Sequence, residues 1–479
     1  MSIATDLDVL IIGGGISGLA SGWYLAQSGL KIQVWEQSER PGGKIQTDHC
    51  QGFQTERAAS MIMNFKPEVD QFFHQTGMEQ YRADRLLRSQ SKRYLIHQGK
   101  LESLPMTIGG LFFSSLWSTS GKFRLLAEPF IGRSNKTDET VSEFISRRLG
   151  REFLEKAMEP FISGTLASDP DNACARYVIP RLTALEQRFG SITAGITAHK
   201  ITGTRTARNP ESFSFNDGME SLPRRLARLP AMGFKAAHRV TQLIRHSKDH
   251  WEVTAQCDNS EHSLTAKHVI ISTPSFSAAE ILRPIHEQLS SVLQAIDYAP
   301  LSVVHLGFER SGVHHPLNSS GFLVPRQENM AINGNLWMSS IFAGRAPDNQ
   351  LLLSSYLGGS RHPDDIHLSS QASIERVLSD IKPLLGITQA PIMARVDKHQ
   401  QALPLYSRDY CHKLTAIEQY LHSLPGLHLE ANYIGGVSIR DRIVSARQKA
   451  HTIISELNPK SSIIHSTPTA DKPLIETIA

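Results

Sequence analysis

Cysteine is scarce in this chain, with four in 479 residues. Cys50, Cys174, Cys257 and Cys411 are isolated and include no Cys-x-x-Cys. The pattern speaks against a disulfide frame or a zinc motif and reads as buried or incidental thiols in a reducing compartment. Histidine is plentiful at 21, yet no His-x-His or His-Glu-x-x-His spacing occurs, and His314-His315 reads as a loop pair. No metal site is predicted. Long apolar runs are also missing: none reaches the roughly 18–20 residues of a membrane span, and no signal peptide precedes the first strand. The expectation is a cytoplasmic protein, at most attached to the cytoplasmic membrane surface. A net charge of +4 is small for this length. It gives no case for nucleic acid, while a local basic patch could face anionic lipid or an acidic substrate. The apolar and charged shares, 40% and 20%, are those of an ordinary globular protein. The length suits two or three packed units.

What is present is concentrated at the start. Leu7 to Ile12 is an apolar run of strand length, followed directly by Gly13-Gly14-Gly15-Ile16-Ser17-Gly18. Leu19, Ala20, Trp23, Tyr24 and Leu25 then recur at helical spacing, and Lys31 to Trp35 reads as a second strand ending on Glu36. Strand, glycine turn, helix, strand and acid make the dinucleotide pattern. Gly13 permits the turn, Gly15 lets a pyrophosphate reach the backbone, and Gly18 lets the helix pack on the strand. The helix N-terminus favours phosphate, and Glu36, with Gln37 beside it, meets the ribose. A second glycine turn, Arg40-Pro41-Gly42-Gly43-Lys44, resembles that of flavoprotein oxidases of the amine-oxidase superfamily. FAD is therefore expected rather than NAD.

Further along, Phe53 to Glu56 reads as a strand with a turn at Arg57-Ala58-Ala59-Ser60, and Arg93 to Ile96 as a strand that Leu101 to Leu104 pairs against. Met106 to Ala198 is helical in period. Phe112, Phe113 and Trp117 lie near Lys122 and Arg124. This stretch reads either as a cap over a substrate cavity or as a surface that dips into lipid. Thr140-Val141-Ser142-Glu143 has the form of a capping box. Strands from Phe234 to Pro274 extend the first sheet, and a second set from Ile296 to Asp397 forms a substrate wall. Leu427 to Asn432 is the last strand, and a final helix opens from Asp441. From Pro459 onward the sequence is aperiodic and polar, as in a disordered tail.

The chain resembles the protoporphyrinogen oxidases from Leu7 to about Arg447. The specific matches are Ser91-Lys92-Arg93-Tyr94-Leu95-Ile96, Arg147-Arg148-Leu149-Gly150, Asp217-Gly218-Met219, Ala402-Leu403-Pro404-Leu405-Tyr406 and Pro425-Gly426-Leu427. The resemblance implies an α/β fold, a Rossmann-type FAD-binding domain interleaved with an α+β substrate domain and a helical insertion. The expected boundaries are 1–85, 200–285 and 419–457 for the FAD domain, 86–105 and 286–418 for the substrate domain, 106–199 for the insertion and 458–479 for the tail. It further implies a porphyrinogen-like substrate, protoporphyrinogen IX or coproporphyrinogen III, and oxygen as acceptor. It tips the insertion toward membrane contact and leaves a homodimer open. By resemblance, Arg93 pairs with a substrate propionate, while Leu323 and Tyr356 pack on the macrocycle. Val240 meets the adenine through its backbone, and Asn432, Val437, Ser438 and Ile439 meet the flavin. The chain departs from the family at Arg57-Ala58, where Gly-Pro is usual, and at Ala431, where Gly is usual. No residue is marked as a catalytic base. Two rival readings stand beside this one: a flavin oxidase or dehydrogenase for another reduced heterocycle, amine or polyene, and a non-catalytic FAD-binding scaffold or tetrapyrrole carrier.

Overall fold

The computed structural model describes residues 5–458 apart from residues 91, 105–109, 111–113, 115, 202–210, 248–249 and 259. The tail from Pro459 and the Phe112-Phe113 pair thus lie outside the described residues.

Strand β1 (Leu7–Ile12) is buried almost throughout, as a central parallel strand must be. Helix α1 (Ile16–Gln27) returns the chain to β2 (Ile32–Trp35), parallel to β1. A hairpin, β3 (Thr47–Cys50) and β4 (Phe53–Glu56), is followed by β5 (Ile62–Asn64) and β6 (Arg82–Asp84). A second hairpin joins β7 (Tyr94–His97) to β8 (Lys100–Ser103). After the helical region come β9 (Glu211–Phe215), which pairs with both β5 and β6, and then β10 (Phe234–Lys235), β11 (Arg239–Ser247), β12 (His250–Cys257) and β13 (Ser260–Ile271). The remaining strands are β14 (Tyr298–Glu309), β15 (Gly321–Leu323), β16 (Ile332–Leu336), β17 (Gln350–Gly358), β18 (Met393–Pro404) and β19 (Leu427–Leu429).

Two seven-stranded sheets result. The first runs β10-β2-β1-β13-β12-β11, with β19 parallel to β13. Alternation along β1 sends Val9 and Ile11 to one core and Leu10 and Ile12 to the other. The first of these cores holds Leu19 and Trp23 of α1. It also holds Ile439, Ile443, Ala446, Ala450 and Ile453 of the last helix, Ile439–Leu457, spaced to make one apolar helical stripe. The second sheet runs β18-β14-β17-β16-β15-β7-β8. It is mixed, because β15 pairs parallel to β7 while its other neighbours are antiparallel.

The helical region is held by its own core of Val141, Phe144, Ile145, Ile162, Ala175 and Ile179. The predicted capping box is present: Glu143 N–H donates to Thr140 Oγ1 (3.2 Å) and Thr140 N–H to the Glu143 carboxylate (3.0 Å). Trp117 is only 4% exposed and lies flat against Phe153. It is core and not a residue that dips into lipid. Among the described residues of this region, the large apolar side chains that are exposed are instead Phe123, Leu126, Phe130, Phe161 and Ile196, the first three close together along the chain. Two boundaries also differ from expectation. The last strand stops at Leu429, because the Glu430 carboxylate turns to Arg442 (3.0 Å). The last helix starts at Ile439, because Ser438 Oγ caps it by accepting from Asp441 N–H (3.1 Å).

Candidate active site

The glycine turn is built around two contacts and one gap. A Cβ at Gly18 would stand 2.1 Å from the Gly13 carbonyl oxygen, so only glycine lets α1 sit this close to β1. At Gly15 a Cβ would meet nothing within 4 Å, and it would do so at an ordinary φ of −72°. The space in front of Gly15 therefore does not belong to the protein. Beside that space stands Gly43, where an added Cβ would lie 3.6 Å from Gly15 Cα, and Gly42 N–H donates to the Gly14 carbonyl (2.7 Å). The two glycine turns pack against one another, beside the open slot at Gly15. No side chain caps α1, which leaves the first-turn N–H groups of Ile16, Ser17 and Gly18 to a ligand phosphate.

Glu36 ends β2 and is buried. Its Oε2 accepts from Gly14 N–H (2.7 Å), and its Oε1 accepts from Ser38 N–H and Oγ (2.9 and 2.7 Å). Oε1 is filled by its two bonds from Ser38, while Oε2 keeps a lone pair of the kind a ribose hydroxyl would use. Gln37 is exposed beside it. The Glu36 carbonyl accepts from His238 N–H (2.8 Å), which brings Val240, two residues on, to the same end of the sheet. Arg40 shapes the second turn by donating to the carbonyls of Pro41, Gly43 and Ile45. Lys44 reaches away from the slot to the carbonyls of Gln401 and Ala402 on β18, and burial lowers its ammonium to about 8. Arg57 is committed through its guanidinium to Asp48 (2.6 and 3.1 Å). It can face a cofactor only with its main chain, as can Ala58 and Ala59. At the far end, the Asn432 carbonyl accepts from Tyr406 Oη (2.6 Å), and Val437-Ser438 leads into the N-terminus of the last helix. A long dinucleotide laid along these residues as the sequence predicts would put its phosphates at the glycine turns, a ribose at Glu36, the adenine at Val240 and its ring system toward Ser60 and Ile439.

The second sheet supplies a wall. Leu323 is paired with Gly334, and Gly334 with Tyr356, on β15, β16 and β17. These three residues form one cross-strand row on one face, with a gap where Gly334 has no side chain. At the usual strand spacing, Leu323 and Tyr356 stand about 9–10 Å apart. A Cβ on Gly334 would come within 2.9 Å of the Phe322 carbonyl and 3.1 Å of the Leu323 side chain. Gly164, on the helix Glu159–Leu166, lies over Leu323 just as closely, with a Cβ there at 2.5 Å. Ser60 faces the Tyr356 phenol, so the wall meets the turn that follows β4. Burial, with the charge of Glu56 adding to it, raises the Tyr356 phenol. Arg93 lies two residues before Leu95, the parallel partner of Leu323, and by alternation shares its face. Its guanidinium is exposed and, among the described residues, makes no hydrogen bond or ion pair.

Glu56 was not marked by any sequence pattern. It is 2% exposed and accepts from Thr47 Oγ1 (2.8 Å) and Met219 N–H (3.0 Å). Burial nevertheless lifts its carboxyl to about 7. Gly334 and Gly164 were also unmarked. Asn333-Gly334 has the form of a hairpin turn but lies inside β16.

The family model for flavin-containing amine oxidoreductases matches residues 16–454. The mitochondrial protoporphyrinogen oxidase of Nicotiana tabacum is 30% identical over 95% of this chain and 96% of its own. Protoporphyrinogen oxidase 2 of Arabidopsis thaliana is 29% identical over 95% of each. The coproporphyrinogen III oxidase of Bacillus subtilis (strain 168) is 27% identical over 91% of this chain and 95% of its own. Reduced UDP-galactopyranose mutase shares the fold at a TM-score of 0.71 and 15% identity, over 99% of this chain and 98% of that one. With the paired glycine turns and the ribose acid in place, the chain belongs to the flavin-containing amine oxidoreductase family and is an FAD-dependent oxidoreductase.

Proposed function

We propose that the protein dehydrogenates a porphyrinogen, protoporphyrinogen IX or coproporphyrinogen III, with oxygen as the electron acceptor. The observation that carries this reading is the row Leu323, Gly334 and Tyr356. It puts the Leu323 side chain and the Tyr356 ring on one face of strands about 9–10 Å apart, with Leu323 lying over the bare Cα of Gly334, a surface suited to a flat, mostly apolar ring. The cation of Arg93, which has no ion pair among the described residues, stands on the same face, where a peripheral carboxylate would lie. The names of relatives aligned over nearly the whole chain support the same substrate class.

FAD, when bound, supplies the two-electron redox chemistry. The chain's own residues bind and orient. Leu323 and Tyr356 hold the ring plane, Arg93 fixes its rotation through a carboxylate, and Ser60 keeps the Tyr356 ring at the flavin end of the wall. Burial raises both the Glu56 carboxyl and the Tyr356 phenol, which favours their neutral forms beside an electron-rich substrate. Among the described residues no side chain at the wall is set as a base, and deprotonation falls to solvent.

The helical region carries the membrane part of the proposal. Phe123, Leu126 and Phe130 are exposed around the helix Thr119–Leu126, with Lys122 and Arg124 on the same turns, although the Arg124 guanidinium donates to the Arg147 and Arg148 carbonyls. Apolar tips flanked by cations are the composition of a helix lying at a headgroup layer. Among the described residues no helix is long and apolar enough to cross a membrane.

The deciding experiment is anaerobic mixing of the yellow holoenzyme with each porphyrinogen, followed by admission of air. Flavin bleaching, then reoxidation with porphyrin fluorescence, is the expected result. Bleaching by an amine or another reduced heterocycle, but by neither porphyrinogen, would overturn the substrate class. No bleaching by any reductant of the panel would overturn enzymatic function in favour of a carrier.

A further inference from the structure

Among the described residues, two groups place three metal-ligating side chains with their donor atoms within 4.8 Å of one another. One is His268, His428 and Glu456. There His268 Nδ1 and His428 Nε2 are 2.9 Å apart, in rings whose planes are only 19° from parallel. At that distance the two nitrogens share a proton and satisfy each other. The charge of Lys449 also faces His428.

The other group is His238, Cys257 and His262, and it differs on each point. The register of β11, β12 and β13 assembles it: Val240 pairs with Ala255, and Ala255 with His262. By alternation His238, Cys257 and His262 emerge on the same face, at the end of the sheet. His238 Nδ1 lies 2.7 Å from the Ala236 carbonyl. A carbonyl only accepts, so Nδ1 carries the proton and Nε2 presents a lone pair. That outward bond to a carbonyl is what fixes the tautomer and ring orientation of metal-ligating histidines. His238 Nε2 is 3.5 Å from His262 Nδ1, beyond the usual N–H···N range. It is instead close to the edge of about 3.3–3.4 Å between two nitrogens bound to one tetrahedral zinc. Trp35 packs beside both imidazoles, with ring centroids 5.4 Å from each.

We propose that His238 Nε2, His262 Nδ1 and Cys257 Sγ form a site for one thiophilic divalent cation of the zinc type, with water as the fourth ligand. Two imidazoles and a thiolate suit zinc and disfavour calcium or magnesium. Binding breaks the Cys257 S–H bond, forms the S–metal bond and releases the proton to solvent. The ion would tie the segment before β11 to the β12–β13 hairpin, one hydrogen bond from the ribose acid, since His238 N–H donates to the Glu36 carbonyl.

The test uses tag-free, chelator-treated holoenzyme titrated with cobalt(II), followed as a difference spectrum against the flavin background. One equivalent should produce a thiolate-to-cobalt charge-transfer band with the visible bands of four-coordinate cobalt, and zinc(II) should remove both. Cys257→Ser should lose the charge-transfer band. His262→Ala should weaken binding by about 100-fold or more, since even outer partners of a metal ligand are worth 10- to 100-fold. Cys50→Ser and His268→Ala should change nothing, and retained flavin absorbance reports that each variant is folded. Zinc should also slow alkylation of Cys257 in the wild type, read peptide by peptide, without protecting Cys411. Absence of the band in the wild type, its survival in Cys257→Ser, or its loss in His268→Ala would each overturn the proposal.

Discussion

Gly15 and Gly18 are three residues apart, and the geometry assigns their smallness to different owners. At Gly18 the competing atom is protein: a methyl would stand 2.1 Å from the Gly13 carbonyl oxygen, where real contacts begin near 3.0 Å. Helix α1 must then move by about 1 Å, which stretches N–H···O bonds of about 2.9 Å beyond hydrogen-bond range. Losing two charge-assisted bonds to the pyrophosphate at roughly 1.5–3 kcal/mol each weakens FAD binding about 100- to 10,000-fold. The same movement opens the α1–β1 contact, so Gly18→Ala lowers the melting temperature of the apoprotein too. At Gly15 the competing atom is ligand. The protein offers nothing within 4 Å, and φ is −72°. Gly15→Val should leave apoprotein stability within about 1 kcal/mol, the cost of a poorer N-cap residue, while FAD is lost. Fluorescence titration of apoprotein with FAD, beside thermal melts of the same samples, reads both quantities. If Gly15→Val binds FAD as the wild type does, the slot does not hold the pyrophosphate. If it destabilises the apoprotein as much as Gly18→Ala does, the slot is not open.

Arg93→Ala should reduce kcat/KM by about 10- to 150-fold, the loss of one charge-assisted pair of about 1.5–3 kcal/mol, with FAD content unchanged; Arg93→Lys should recover part. Equal discrimination of acid and ester substrates by wild type and Arg93→Ala would exclude the propionate pairing. Glu56 holds its proton in the folded state up to about pH 7 but only to 4.5 when unfolded, so its contribution to stability falls as pH rises through that window, by up to about 3 kcal/mol. Denaturant titrations of the apoprotein should therefore find Glu56→Gln more stable than wild type at pH 8 and nearly equal at pH 4.5, and an unchanged pH slope would contradict the assignment. Phe123→Ser with Phe130→Ser should reduce co-sedimentation with anionic liposomes at low salt; unchanged sedimentation would leave the helical region as a cap alone.

The dinucleotide half of the site was legible because its parts are contiguous: Gly13 to Gly18 and Glu36 lie within one strand–helix–strand unit, where spacing along the chain equals position in space. The capping box at Thr140 was legible for the same reason. The wall was not, except through resemblance. Leu323, Gly334 and Tyr356 come together through pairing among three strands, and nothing local distinguishes a glycine inside a strand from a turn glycine at Asn333-Gly334. Glu56 was hidden because its elevated carboxyl comes from burial, which a four-residue strand does not announce. Trp117 was misread toward lipid because composition records that an indole is present and not that Phe153 covers it. His238, Cys257 and His262 have no motif spacing because strand register, not chain distance, sets their separation.

The first sheet draws its strands from three stretches of chain, and the helix Ile439–Leu457 closes over α1 from the opposite end of the described residues. During synthesis, the glycine turn leaves the ribosome long before the segments that bury its helix. Helix α1 must wait with Leu19 and Trp23 exposed until Ile443, Ala446 and Ala450 arrive, a closure across more than 400 residues that is intrinsically slow. A chain arrested before Leu427 would lack β19 and the last helix, and would present the apolar back of its own cofactor helix to chaperones and proteases. Quality control of this protein can thus read one surface, the uncovered face of α1, to tell an unfinished chain from a finished one.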